Sequence, residues 1–212
     1  MRITVFGAAG SVGSRVVAEA LSRGHQVTAV VRDPSRFAGL PEAAVPRAGD
    51  ASDAAAVARL SAGQDVVVGA TRPAPGRESE LAVVAGALLA GTAEAGARLL
   101  LVGGAGSLVV PGTGGTTVID APDFPADWRS IALACGEQFA ACRADTRADW
   151  AYLSPPAVLE PGVRTGTYRL GADELVVDAD GNSAISMEDL AVALIDEAER
   201  PRHHRVRFTV GY

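Results

Sequence analysis

Apolar positions fall into two periods along this chain. "RITVF" (2–6) is a short apolar run that ends in glycine, as a strand buried on both faces does. Residues 11–23 follow with Val12, Val16, Val17, Ala20 and Leu21 at helical spacing. Ser11 is placed to cap this helix and Gly24 to end it. "QVTAVVR" (26–32) predicts a second strand and "AAVPRAGD" (43–50) a third, made less regular by Pro46. A helix over 52–63, capped by Ser52 or Asp53, precedes a strand at 65–70. A long helix over 78–95 and a strand over 97–104 come next. A Gly/Pro/Thr-rich loop covers 104–127, a helix 128–147 and a strand 149–155.

Alternation of this kind implies right-handed crossovers and a doubly wound, mostly parallel sheet, an α/β fold of Rossmann type over residues 1–155. After Pro155 the texture changes. "GTYRLGADELVVDADGNSAIS" has hairpin spacing, and a helix capped by Ser186 with Asp189 in its first turn leads to a closing strand at 205–210. Residues 156–212 therefore read as a small α+β lobe that packs on the first part, completing one structural domain.

The glycine loop carries the chemistry. "GAAGSVG" places Gly7, Gly10 and Gly13 three apart between the first strand and the first helix, the context that gives such spacing meaning. Gly7 allows the tight turn, Gly10 the approach of a pyrophosphate, and Gly13 close packing of helix on sheet. Ala9, Ser11 and Val12 complete the loop, and the helix start offers N–H groups to phosphates. "VVRDPSR" then selects the nucleotide. Arg32 and Arg36 suit a 2′-phosphate, whereas Asp33 is the acid that a ribose 2′-hydroxyl prefers, so NADP(H) is favoured over NAD(H). Asp50 and Ala51 fall where the adenine would lie, and Gly69, Ala70 and Thr71 along the path of the cofactor.

Composition narrows the function classes. Apolar residues make up 48% of the 212-residue chain, enough for a sizeable core. No apolar stretch reaches the ~18 residues of a membrane span, and no signal-peptide pattern opens the chain, so a cytoplasmic location is expected. A net charge of −6 argues against nucleic acid. Cys135 and Cys142 lie about 10 Å apart along a helix, too far for a disulfide, and read as packing thiols. No metal-ligand spacing occurs.

The whole chain resembles the atypical short-chain dehydrogenase/reductase proteins of the NAD(P)H-binding, NmrA-like group, whose proposed activity is NADH-flavin reductase. The resemblance rests on "GAAGSVG", "RGHQVTAVVRDPSR", "GD" at 49–50, "VGGAGSL" at 102–108, "DWAYLSPPAVLEPGVRTGTYRLG" and "ISMEDLAVALIDEAERPRHHRVRFTVGY". A more distant resemblance, through "VTAVVRD", is to biliverdin-IXβ/flavin reductases. It implies a nicotinamide cofactor and, less directly, hydride transfer.

One absence limits that chemistry. All 19 basic residues are arginine. The common short-chain dehydrogenases use a Tyr with a Lys four residues on, and neither exists in the 128–147 helix. Ser107, just past the fifth strand, is the expected group for orienting substrate or nicotinamide, with Trp128 and Tyr168 as expected acceptor contacts. The expectation is therefore an NAD(P)H-dependent reductase of a conjugated acceptor, flavin or quinone-like, working as a monomer or homodimer. The alternatives are a regulatory protein that senses NADP(H), and an epimerase or isomerase on the same fold.

Overall fold

A computed structural model describes residues 1–212. In chain order the elements are β1 (Arg2–Phe6), α1 (Ser11–Ser22), β2 (Gln26–Val31), β3 (Val45–Ala48), α2 (Ala54–Ser61), β4 (Val66–Gly69), α3 (Glu80–Ala95), β5 (Arg98–Val102), α4 (Arg129–Ala144), β6 (Trp150–Ser154), β7 (Val158–Glu160), β8 (Arg169–Gly171), β9 (Ala184–Ser186), α5 (Met187–Glu199) and β10 (Val206–Gly211). Eight strands form one sheet in the order β3-β2-β1-β4-β5-β6-β10-β8. All neighbours pair in parallel except β8, which runs antiparallel to β10. This is the doubly wound Rossmann-type arrangement. The strand order reverses beside β1, and the crevice at the ends of β1 and β4 is where such sheets bind ligands.

Side-chain alternation divides the core into two layers. Ile3 and Val5 face one side, with Val16, Val17, Leu190 and Leu194 of α1 and α5. Phe6, Val67, Leu99 and Leu101 face the other, with Val57, Leu88 and Leu89 of α2 and α3. The strands are buried on both faces, which explains their unbroken apolar runs. The edge strands are the exceptions. β8 is largely exposed. β3 is exposed along its length and lies at the other edge, where Pro46 removes no interior ladder bond.

Two local expectations change. The residues after Pro155 do not form a hairpin among themselves: β8 joins the main sheet beside β10, and β9 pairs in parallel with β7. The turns at Gly171 and Asp178 connect strands whose partners lie elsewhere in the chain, so hairpin spacing misleads here. Ser11 does not cap α1. The capping position is Gly10, and no side chain closes that end of the helix. Asp53 and Ser186 do cap α2 and α5, accepting from Ala55 and Ala56 N–H and from Asp189 N–H respectively.

Behind the glycine loop, charged side chains tie α1 to α5. Glu19 is buried and accepts from Arg23 Nε (2.7 Å) and from Arg164 Nε (2.7 Å). Arg23 reaches on to Asp196 (2.7 Å) and Glu199 (2.9 Å). The two arginines hold the Glu19 carboxyl below its usual range, the bond from Arg164 being the largest cause.

Candidate functional site

The crevice at the switch point opens into a cavity of about 1000 Å³, at the upper end of the size range for ligand pockets. It runs from the end of β2, across the glycine loop, to α4. Gly7, Ala9, Gly10, Ser11 and Val12 form its floor. Gly7 has φ +81°, and a Cβ there would lie 2.4 Å from the carbonyl oxygen of Ala70, so only glycine makes this turn. Gly13 lies behind the floor, where a Cβ would meet Gly7 O at 2.1 Å. Its role is to let α1 press against the loop.

The first turn of α1 is open to the cavity. The N–H groups of Ser11, Val12 and Gly13 make no hydrogen bond within the protein, and no acidic residue occupies that turn. Unsatisfied donors at a helix start fit an anionic group such as a pyrophosphate. A second unpaired group lies farther along: Thr71 Oγ1 is buried without a partner. Ala70 and Thr71 line the cavity, whereas Gly69 sits behind it in β4, packed under Leu88 and Leu101.

At the β2 end the charged residues differ in their commitments. Arg36 donates from Nη2 to the carbonyl oxygen of Ala9 (2.9 Å) and so braces the glycine loop. Asp33 accepts from Ser35 N–H (2.9 Å) in the turn it caps, and the Ser35 hydroxyl first and this N–H second hold its carboxyl below its ordinary value. Arg32 lines the cavity and makes no ion pair or hydrogen bond. Asp50 takes Ser52 N–H (2.9 Å) and Ser52 Oγ (2.8 Å) on Oδ1, and those bonds hold its carboxyl down. Asp50 and Ala51 both line the wall.

The other end is walled by side chains. Trp128, Ile131, Ala132, Cys135 and Gln138 present one face of α4 and of the turn before it, and the 104–127 loop covers the opposite side through Val110, Val118 and Phe124. Sequence reasoning missed Cys135 and Gln138 as wall residues. Their spacing from Ile131 is a helical stripe, but a helix of mixed composition does not announce which stripe turns inward. The inward face is set by Tyr152, whose hydroxyl lies 3.0 Å from Cys135 O and 2.9 Å from Gln138 Oε1. Gln138 Nε2 is left buried without a partner. Burial pushes the Cys135 thiol up to about 11 and raises the Tyr152 hydroxyl further above its ordinary value.

Two expected site residues are elsewhere. Ser107 does not line the cavity. Its neighbour Leu108 is fully buried, which turns the serine away toward β10, where its hydroxyl accepts from Arg207 Nη1 (2.8 Å). Tyr168 donates to Asp196 (2.7 Å) and packs on the α1–α5 layer, outside the cavity. The third tyrosine, Tyr212, donates to Asp189 (2.7 Å). No tyrosine and no histidine reaches the cavity wall. Trp128, half exposed, does reach it.

Proteins that hold a nicotinamide dinucleotide on a Rossmann-type sheet are the class that this fold and glycine loop define. Comparison of sequences narrows the class. The chain belongs to the NAD(P)H-binding family, whose model matches residues 7–201. It is 40% identical to the uncharacterised protein YwnB of Bacillus subtilis, covering 99% of this chain and 98% of that one. Among solved structures, an exported protein (its proposed description) from Burkholderia pseudomallei is 41% identical, with a TM-score of 0.90 and full coverage of both chains. A Streptococcus pneumoniae protein whose proposed activity is NADH-flavin reductase is 29% identical, with a TM-score of 0.88, covering 100% of this chain and 99% of that one. No helix of the present chain is long and apolar enough to cross a membrane.

Proposed function

We propose that the protein is an NADPH-dependent reductase of a conjugated small molecule, of flavin or quinone type. The observation that carries this reading is a cavity that fits a dinucleotide at one end and has no tyrosine, histidine or lysine on its wall at the other. A nicotinamide cofactor, when bound, supplies a hydride. The chain's own residues do the rest. Gly7, Gly10 and the open turn of α1 would hold the pyrophosphate, Asp50 and Ala51 would flank the adenine, and Ala70 and Thr71 would guide the ribose toward α4. The unpaired guanidinium of Arg32 suits a 2′-phosphate, while Asp33 is occupied as a cap, and this favours NADP(H).

The reaction type follows from what the wall lacks. An isolated ketone needs a strong proton donor as alkoxide charge develops. A conjugated ring spreads that charge, so positioning carries much of the rate and water delivers the proton. The apolar wall from Trp128 to Ile131 suits such a ring. The S. pneumoniae relative supports the same direction.

The test is to follow NADPH and NADH oxidation by the purified protein with FMN, riboflavin and a naphthoquinone. Turnover with at least one acceptor, faster with NADPH, is expected. Tight NADPH binding with no turnover on any of them overturns the reductase reading in favour of a nucleotide-sensing protein.

A further inference from the structure

The acceptor end of the cavity contains a cation that makes no close ion pair. Arg72 follows Thr71 at the end of β4, and its guanidinium lies over the Trp128 ring, 5.5 Å from the centroid. Both residues line the cavity. Arg72 makes no ion pair and no hydrogen bond. Glu78 feels its charge, but Glu78 Oε1 is engaged by Gly76 N–H (2.9 Å). Asp123 lines the same cavity and does not pair with it. The other cavity arginines lie at the opposite end, where Arg36 is bonded to the glycine loop and Arg32 faces the adenine side.

We propose that Arg72, held beside Trp128 by cation–π attraction, reads an anionic group on the acceptor, which makes the preferred acceptor a planar conjugated molecule bearing a phosphate or carboxylate rather than a neutral ring. This rests on the reductase reading for the word acceptor, but not for the binding itself. The contact with the indole restrains the guanidinium while its N–H groups keep no partner in the protein, and such N–H groups are what a phosphate or carboxylate engages in bidentate fashion. The ring of Trp128, half exposed, offers its remaining surface to the planar body of the same ligand. The rest of this end is largely apolar, with Asp123, Glu80 and Gln138 as its polar side chains, so Arg72 is the one cationic group on this part of the wall.

The test is equilibrium binding to protein saturated with NADP⁺, which occupies the Arg32 end. Two matched pairs are used: FMN against riboflavin for phosphate, and a carboxylated naphthoquinone against its uncharged parent for carboxylate. Each is measured with wild type, Arg72→Gln and Trp128→Ala, with melting temperature as a check on folding. In wild type the anionic member of at least one pair binds about fivefold tighter, as expected for one partly exposed charge-assisted contact. Arg72→Gln removes that preference, and Trp128→Ala weakens both members and also reduces the preference, because it removes the support of the guanidinium. Equal binding within both pairs, a preference that survives Arg72→Gln, or no binding by any of the four ligands overturns the proposal. Selective binding without NADPH oxidation would retain Arg72 as the anion reader and reject the reductase reading instead.

Discussion

The two ends of the cavity are built from different parts of the polypeptide. At the glycine-loop end the contacts are made by backbone: the Gly7 turn, the close approach of Gly13 to Gly7 O, and the free N–H groups of Ser11 and Val12. At the acceptor end they are made by side chains on α4 and on the 104–127 loop. Backbone sites tolerate change except where a side chain would fill the space meant for the chain or the ligand. Side-chain walls are tuned one residue at a time. The glycine-loop end is thus a general device for a dinucleotide, and under the proposed function the α4 end is where the choice of acceptor would be made.

The comparison is broken most severely at Gly13. Gly13→Val places a branched Cβ against Gly7 O, a 2.1 Å contact before any γ carbon is added. Overpacking of this kind costs about 1–3 kcal/mol or more. We expect a drop in melting temperature and loss of measurable NADPH binding by calorimetry. Arg32→Ala sharpens the cofactor end without touching the fold. NADPH affinity should fall by about tenfold or more, the scale of a charge-assisted contact, while NADH affinity changes by less than about twofold. Equal loss for both nucleotides would remove Arg32 from the 2′-phosphate role.

Tyr152→Phe probes the other end. It leaves Gln138 and the Cys135 carbonyl without the buried hydroxyl between them, and should cost about 1–3 kcal/mol in urea unfolding. Acceptor KM should rise while the NADPH Kd stays unchanged, because Tyr152 supports α4 and not the glycine loop.

The acid side of the stability curve tests the support behind α1. The Glu19 carboxyl has a folded pKa below its ordinary 4.5 because of its bonds to Arg164 and Arg23. Its stabilisation is therefore present above the unfolded pKa and is lost as pH falls from 4.5 through the lower folded value. Glu19→Gln should flatten that part of a pH series of unfolding curves. The smallest effect belongs to Ser107→Ala. Its hydroxyl serves Arg207, so cofactor affinity and turnover should stay within about twofold of wild type; a collapse in turnover would return Ser107 to the reacting end.

The difference between the two ends also explains what the sequence discloses. The glycine spacing, the strand–helix alternation and the charged residues after β2 are local, and their meaning survives without the rest of the fold. The path through Ala70 and Thr71 follows from strand order, which alternation also predicts. The acceptor wall depends on which stripe of α4 faces inward, and that is decided by Tyr152 on β6 and by the glycines after β5. Ser107 failed for a related reason. Its position after β5 is as expected, but a buried Leu108 fixes the turn and sends the hydroxyl to β10. Tyr168 failed because β8 pairs with β10 rather than in a hairpin, which carries the ring onto the α1–α5 layer. Long-range pairing placed these side chains, and spacing alone does not encode it.

The central claim is hydride transfer to a conjugated acceptor without a proton donor from the cavity wall. The most direct measurement is the rate of NADPH oxidation by riboflavin on the wild-type protein in rapid mixing, across about pH 6 to 9, where a catalytic acid or base would reveal itself. Riboflavin avoids the titration of a phosphate on the acceptor, and saturating NADPH keeps the ionisation of the cofactor's 2′-phosphate, at about pH 6, out of the observed rate. A rate that is flat over this range is expected, since no tyrosine or histidine lines the cavity and burial pushes the Cys135 thiol up to about 11. A rate that rises or falls with one ionisation, and whose midpoint moves when a cavity residue is substituted, would contradict it.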